Sequence, residues 1–265
     1  MKYALISGAE SGLAKASIKK LDELGFTIFC CDFLYKEIKV EKNKHYIPLD
    51  VTNEKSLKEA LKYVESKTDK LDIISNFAGI VTLGSLVEKP TDTLDKIIAV
   101  TLLGTYKINA LFFPLVFKAK GRIINISSEY GKICGIPFHG YYGISKHAIE
   151  VYNDSLRREL LSSGVKVIAI RPGAFKTKMQ AGVTSQFEKM VDETKMYKKE
   201  LMKMKNIMTG ELDKAKPAEI FAKTFAKAVT AKKPKRVYKV NNSFKMKMLT
   251  LLPAGVQDFA FKKYF

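Results

Sequence analysis

A short apolar run, residues 2 to 7 (KYALIS), breaks off into Gly8-Ala9-Glu10-Ser11-Gly12-Leu13-Ala14. It resumes as a helical stripe of Ala14, Ile18, Leu21 and Leu24, closed by Gly25. Strand, glycine turn and helix in immediate succession form the arrangement in which backbone amides and a helix N-terminus receive a pyrophosphate. Gly8 permits a tight turn, and Gly12 permits close approach of the phosphates. The unit also constrains the fold, because a strand followed at once by a helix needs a crossover to a parallel neighbour.

The rest of the chain repeats that alternation. Residues 26 to 31 (FTIFCC) read as a second buried strand ending at Asp32, 45 to 49 as a third, and 71 to 75 as a fourth. Residues 123 to 127 supply the fifth strand and 165 to 171 the sixth, with helical patterns between, including 92 to 103 and 105 to 118. Asn53 is the expected N-cap of a helix through Lys67. At 265 residues the chain suits one α/β domain, a doubly wound parallel sheet. Ligands in such sheets sit at the carboxyl ends of the strands. Gly8, Asp32, Asn76, Ser128 and Pro172 all fall there.

Asp32 follows Gly12 by 20 residues, the spacing at which an acidic side chain accepts hydrogen bonds from an adenosine ribose. A carboxylate there repels a 2′-phosphate, and no arginine stands in the glycine turn or directly after Asp32, so NAD is expected over NADP. Downstream, IINISSEYGKICGIPFHGYYGISKHA runs from a strand through an irregular connection into a helix. Tyr142 and Lys146 stand one helical turn apart on one face, and Ser128 closes the strand. A phenol ordinarily titrates near ~10, and a neighbouring ammonium favours its anion. A serine hydroxyl steadies charge on a carbonyl oxygen. Together they make a proton-transfer site for interconverting an alcohol and a ketone, with the hydride carried by a cofactor.

In order and spacing these pieces resemble the short-chain dehydrogenase/reductase family, strongly over residues 1 to about 178 and in outline beyond. The resemblance rests on the glycine turn, on Asn76-Phe77-Ala78-Gly79, on Ser128, Tyr142 and Lys146, and on Arg171 to Thr177 (RPGAFKT). It implies a Rossmann-like single domain spanning 1–265, with a helical substrate lid over about 174–212. Tyr142 becomes the general acid/base, Lys146 lowers its pKa and holds the nicotinamide ribose, and Ser128 binds the substrate oxygen. Gly8, Glu10, Ser11, Gly12, Leu13, Asp32, Asp50, Val51, Asn76, Ala78 and Gly79 would hold the dinucleotide together with Pro172, Gly173, Phe175 and Thr177. Phe138, Met179 and Phe187 would wall a greasy pocket. The chain departs from the family at Thr101, where an asparagine normally helps order a water relaying protons to the lysine. The interval from Ser128 to Tyr142 is also one residue longer than usual. Ser127 and Tyr141 are therefore alternatives, although the spacing to Lys146 selects Tyr142.

The tyrosine helix and the RPGAFKTKM turn resemble those of hydroxysteroid and retinol dehydrogenases, implying a bulky hydrophobic secondary alcohol. Six of the nine methionines fall between 179 and 208, where flexible thioethers can conform to varied ligands. Other readings are a reductase of 3-ketoacyl or small carbonyl substrates, or a non-catalytic dinucleotide sensor. No G-x-S-x-G elbow exists for a serine hydrolase. Three scattered histidines and Cys30, Cys31 and Cys134 have no metal spacing.

The net charge is +19, and from Arg171 onward 22 Lys and Arg face 8 Asp and Glu, which accounts for +14 of it. No nucleic-acid motif accompanies this charge, so no nucleic-acid partner is expected. Lys2 is followed by only a short apolar run, so no secretory leader is expected, and reduced thiols suit a cytoplasmic site. Residues 97–117 resemble a membrane span but are interrupted by Gly104, Lys107 and Pro114, which fits two buried helices better. Relatives of this kind pair such helices into homodimers or homotetramers. The basic tail, about 232–265, suits pocket closure or an oligomer interface first and a membrane surface second.

Overall fold

The computed structural model describes residues 1–212 and 214–264, so Phe265, the end of the basic tail, lies outside the described residues. Strand β1 (Lys2–Ser7) leads through helix α1 (Gly12–Glu23) to β2 (Phe26–Asp32), and the short strands β3 (Lys39–Glu41) and β4 (Lys44–Pro48) follow. Helix α2 (Glu54–Glu65) begins at Asn53, whose side chain accepts from the Ser56 amide as expected of an N-cap. Next come β5 (Ile73–Asn76), α3 (Thr93–Ile98), a π-helical segment (Ala99–Leu103) and α4 (Gly104–Lys118). Strand β6 (Arg122–Ile126), helix α5 (Gly140–Glu159) and strand β7 (Lys166–Pro172) complete the part with the strongest sequence signals. Helices α6 (Lys178–Glu193), α7 (Lys198–Leu212) and α8 (Ala218–Thr230), strand β8 (Val237–Val240), and helices α9 (Phe244–Leu251) and α10 (Ala254–Tyr264) finish the chain.

The eight strands form one sheet in the order β3-β4-β2-β1-β5-β6-β7-β8, parallel except for β3. Both edge strands escape the sequence reading. β3 is exposed throughout and carries no buried periodicity, and β8 is four residues in a lysine-rich stretch. Chain direction across the sheet reverses between β1 and β5, the crevice where ligands of doubly wound sheets bind.

Alternation along each strand splits the core into two layers. Ala4, Ile6, Ile28 and Cys30 face α1 and α8 with Phe221 and Phe225, while Leu5, Phe29 and Cys31 face α2 and α4 with Val64, Ile108 and Phe112. The adjacent cysteines thus enter opposite layers, and all three thiols are free. Burial pushes the Cys30 thiol up to about 12.

Residues 93–118 form one continuous helical stretch rather than two helices. It is the one described segment long and apolar enough to cross a membrane, yet Ile97, Ile108, Phe112 and Val116 are fully buried in the core. A third cluster, Leu83, Ile133, Ile136, Phe187, Met190, Leu201 and Met204, joins α6 and α7 to the loops after β5 and β6.

Candidate active site

The glycine turn is fixed by crowding. Gly8 has φ +70°, and a β-carbon there would lie 2.5 Å from the Ala78 nitrogen, so the turns after β1 and β5 touch backbone to backbone. Ser11 caps α1 by accepting from the Ala14 amide. The first N–H groups of a helix have no carbonyl within it, which leaves those of Gly12 and Leu13 for an anion. Thr177, the N-cap of α6, stands over this turn, with its methyl 3.0 Å from where a Gly12 β-carbon would be.

Asp32 is buried at the end of β2 and accepts from the Glu10 amide (2.9 Å) and the Leu34 amide (3.0 Å). Beside it the Glu10 carboxylate accepts from the Tyr35 hydroxyl at 2.9 Å and pairs with Lys15 at 2.6 Å. That ion pair holds the Glu10 carboxyl below its usual range. A glycine cradle, a helix N-terminus and a buried carboxylate at the second strand end fit a dinucleotide. Asp50 is exposed past β4, and Val51 is buried against Gly104.

Two residues expected at the cofactor turn their side chains away from the crevice. The Asn76 amide does not enter the crevice; it donates to Asn109 Oδ1 (2.7 Å) and Asn125 Oδ1 (2.9 Å), and Asn125 donates to Asn153 Oδ1 (3.0 Å). These four buried asparagines tie β5, α4, β6 and α5 together beneath the site. Phe175 turns its ring into the core against Phe221, so only its backbone borders the crevice. Of the residues expected to wall a pocket, Phe187 is buried in the third cluster and Met179 is 41% exposed on α6.

Ser128, Tyr142 and Lys146 converge. The Ser128 hydroxyl accepts from the Tyr130 amide at 3.2 Å and stands close enough to the Tyr142 phenol to favour its charged form. Lys146 Nζ lies 5.7 Å from the Tyr142 ring centre and donates to the Ile126 carbonyl at 3.0 Å. Tyr141 points elsewhere, its hydroxyl on the Ser85 carbonyl, and the buried Ser127 hydroxyl has no partner among the described residues. Thr101 is buried in the π-helical segment, a feature common at functional sites. Its hydroxyl accepts from the Ile80 amide, and Thr101 Oγ1 and Lys146 Nζ both flank Gly79.

Burial pushes the Tyr142 phenol up, offset in part by the Ser128 hydrogen bond, and pushes Lys146 down to about 8. The depression of the phenol expected from Lys146 is therefore not produced by the chain alone. Glu150, one turn further along α5, favours charged Lys146. It is itself gripped by Arg171 through two bonds, 2.7 Å from Nε and 2.6 Å from Nη2. The sequence reading missed this pair. An acidic residue four positions after Lys146, on the buried stripe that carries Ile149, was the available signal.

An aromatic wall rises beside the phenol. The Tyr130 ring meets Tyr142 edge-on (5.6 Å) and stacks on His139 (5.2 Å), which meets Phe187 (5.6 Å). Phe138, at φ +61°, turns its ring toward Tyr197. The His139 imidazole is buried and pushed down to about 4.

The short chain dehydrogenase family model matches residues 2–188. Mouse (Mus musculus) retinol dehydrogenase 7 is 33% identical over 211 residues, covering 76% of this chain and 66% of that protein. Rat (Rattus norvegicus) 17-beta-hydroxysteroid dehydrogenase type 6 is 32% identical over 203 residues, covering 73% and 62%. The chain thus spans just under two thirds of the length of these curated relatives. Among solved structures, a short chain dehydrogenase from Burkholderia cenocepacia J2315 in complex with NADP superposes with a TM-score of 0.73 at 17% identity, over the whole of both chains. The family match over most of the sequence, on the sheet and strand-end constellation described above, means that this chain belongs to the short-chain dehydrogenase/reductase family.

Proposed function

We propose that the protein interconverts a hydrophobic secondary alcohol and its ketone with a nicotinamide dinucleotide, NAD in preference to NADP. The observation that carries this is the meeting of Ser128, Tyr142 and Lys146 at the carboxyl edge of the sheet, beside the glycine cradle. The bound dinucleotide supplies the hydride acceptor or donor. Tyr142 Oη takes the alcohol proton in oxidation and returns it in reduction. Ser128 Oγ donates to the substrate oxygen. Lys146, whose charge Glu150 supports against burial, orients the ribose and favours the phenolate once the dinucleotide is bound. Thr101, beside Lys146, can hold a water for proton exchange with solvent, although a hydroxyl lacks the paired donor and acceptor of an amide.

The NAD preference rests on Asp32 and Glu10, two carboxylates at the ribose end whose nearest cation, Lys15, is already paired. A bulky, steroid- or retinoid-like substrate is supported by the aromatic wall of Tyr130, Phe138, His139 and Tyr197, and by the names of the relatives. Exposed Leu103, Tyr106, Ile144 and Val151 on the helices around α4 and α5 support pairing of subunits there into a homodimer or homotetramer.

The test is the absorbance of reduced nicotinamide over a panel of hydroxysteroids, retinol, acyl ketones and sugars, with NAD and with NADP. Turnover confined to bulky hydrophobic alcohols with NAD is expected. Turnover confined to acyl ketones would replace the substrate class, and a strong NADP preference would overturn the role given to Asp32.

A further inference from the structure

We propose that helices α9 and α10 form a docking surface for an anionic lipid bilayer. Among the described residues the pair is fastened to the protein along one side. The Ser243 amide donates to Glu129 Oε2 at 2.7 Å, Thr250 Oγ1 accepts from the Cys134 amide at 3.0 Å, and Met246 and Phe261 pack against the third cluster. No residue of α9 is buried. Outward, Phe244 is 71% exposed and Leu251 and Phe259 are 69% exposed, with Met248, Leu252 and Val256 also in solvent. Six large apolar side chains within 16 residues make a patch that water does not tolerate cheaply.

Charge identifies the occupant. Lys245, Lys247, Lys262 and Lys263 are interleaved with the patch, and Asp258 is the one acidic residue between 241 and 265. A second copy pressed on the same face would set lysines against lysines, in a chain that already carries +19. Anionic headgroups neutralise those lysines while the acyl boundary takes the apolar side chains. Pro253 and Gly255 divide the segment into two short helices, which suits lying in the interface rather than spanning it. The tail therefore belongs on a membrane surface, the role ranked second for it in the sequence. Because α9 is joined to the Glu129 turn beside Ser128, the docked bilayer would lie next to the catalytic turn.

The experiment is sedimentation of the full chain with vesicles of phosphatidylcholine alone or mixed with phosphatidylserine, at low and high salt. It reads binding, so it is independent of the proposed reaction. The chain is expected to partition onto the mixed vesicles about tenfold more strongly than onto phosphatidylcholine, less so as salt rises. Joint Phe244→Ser, Leu251→Ser and Phe259→Ser substitution should lower that partition by about tenfold or more. Lys245→Glu with Lys247→Glu should do likewise. Both variants should keep the melting temperature, since the replaced side chains are exposed, and Leu161→Ser, an exposed apolar site elsewhere, should leave binding unchanged. Failure of the unsubstituted chain to sediment overturns the proposal, as does equal binding by the apolar variant. A change of oligomeric state in that variant with vesicle binding intact would assign the face to a second copy instead.

Discussion

The carboxyl rim of the sheet and helices α6 and α7, the proposed lid packed on its loops, are built by different physics. At the rim, buried polar groups are all but welded to one another. Four asparagines bond across β5, α4, β6 and α5, and Glu150 and Arg171 are joined by two short bonds. Gly8 cannot hold a methyl group. The lid instead rests on methionine and phenylalanine packing and on a few side-chain bonds to backbone. Glu88 accepts from Thr194 Oγ1 (2.8 Å) and from the Lys195 (2.9 Å) and Met196 (3.0 Å) amides, and Gln186 Oε1 accepts from the Leu83 amide (3.0 Å). A buried polar network has one good arrangement, whereas apolar side chains repack at small cost. On the proposed reaction, proton transfer would belong to the part that cannot shift, and substrate choice to the part that can.

Arg171→Met tests the rigid half hardest. It strands the Glu150 carboxylate in the core and should cost about 3–5 kcal/mol in a denaturant titration. A loss under about 1 kcal/mol would mean that water reaches the pair and that the rim is softer than described. The seam between the halves is read through His139. Its pKa is lowered to about 4 in the folded chain, from an ordinary value of 6.5, so the folded state binds fewer protons over that window. Stability is complete above pH 6.5 and falls by roughly 3 kcal/mol as pH drops through 4. His139→Gln should flatten that slope.

Asp32→Ala should weaken NAD use by about tenfold and raise relative use of NADP, measured as the ratio of kcat/KM values, because one repelling carboxylate is gone. Glu88→Gln should move least. Its carboxylate holds the Lys195 and Met196 amides before α7, so KM for a bulky alcohol should change with kcat held. A fall in kcat with unchanged KM would move the lid's role into the chemistry.

Much of the rim was legible in the chain. Strand ends, Asp32 and the Tyr142–Lys146 interval are local patterns, and local patterns survive folding. What failed was reading side-chain direction across elements. Asn76 sits at a strand end as expected and Phe175 follows one, yet the first enters a polar network made by three other elements and the second a ring contact with α8. Their partners lie 33 to 49 residues away for Asn76, and no periodicity reports such a distance. Strand β3 was invisible because an exposed edge needs no apolar face. Thr101 was noted as a departure, but the π-helical turn that carries it has no composition of its own.

Tyr142 is the group proposed to exchange the proton. The direct measurement compares the unsubstituted chain with Tyr142→Phe for reduction of NAD by a hydroxysteroid or retinol, with binding of the reduced dinucleotide followed by its fluorescence. The expected result is a loss of kcat/KM of about a thousandfold with dinucleotide affinity unchanged. Turnover that survives the loss of the hydroxyl would contradict it.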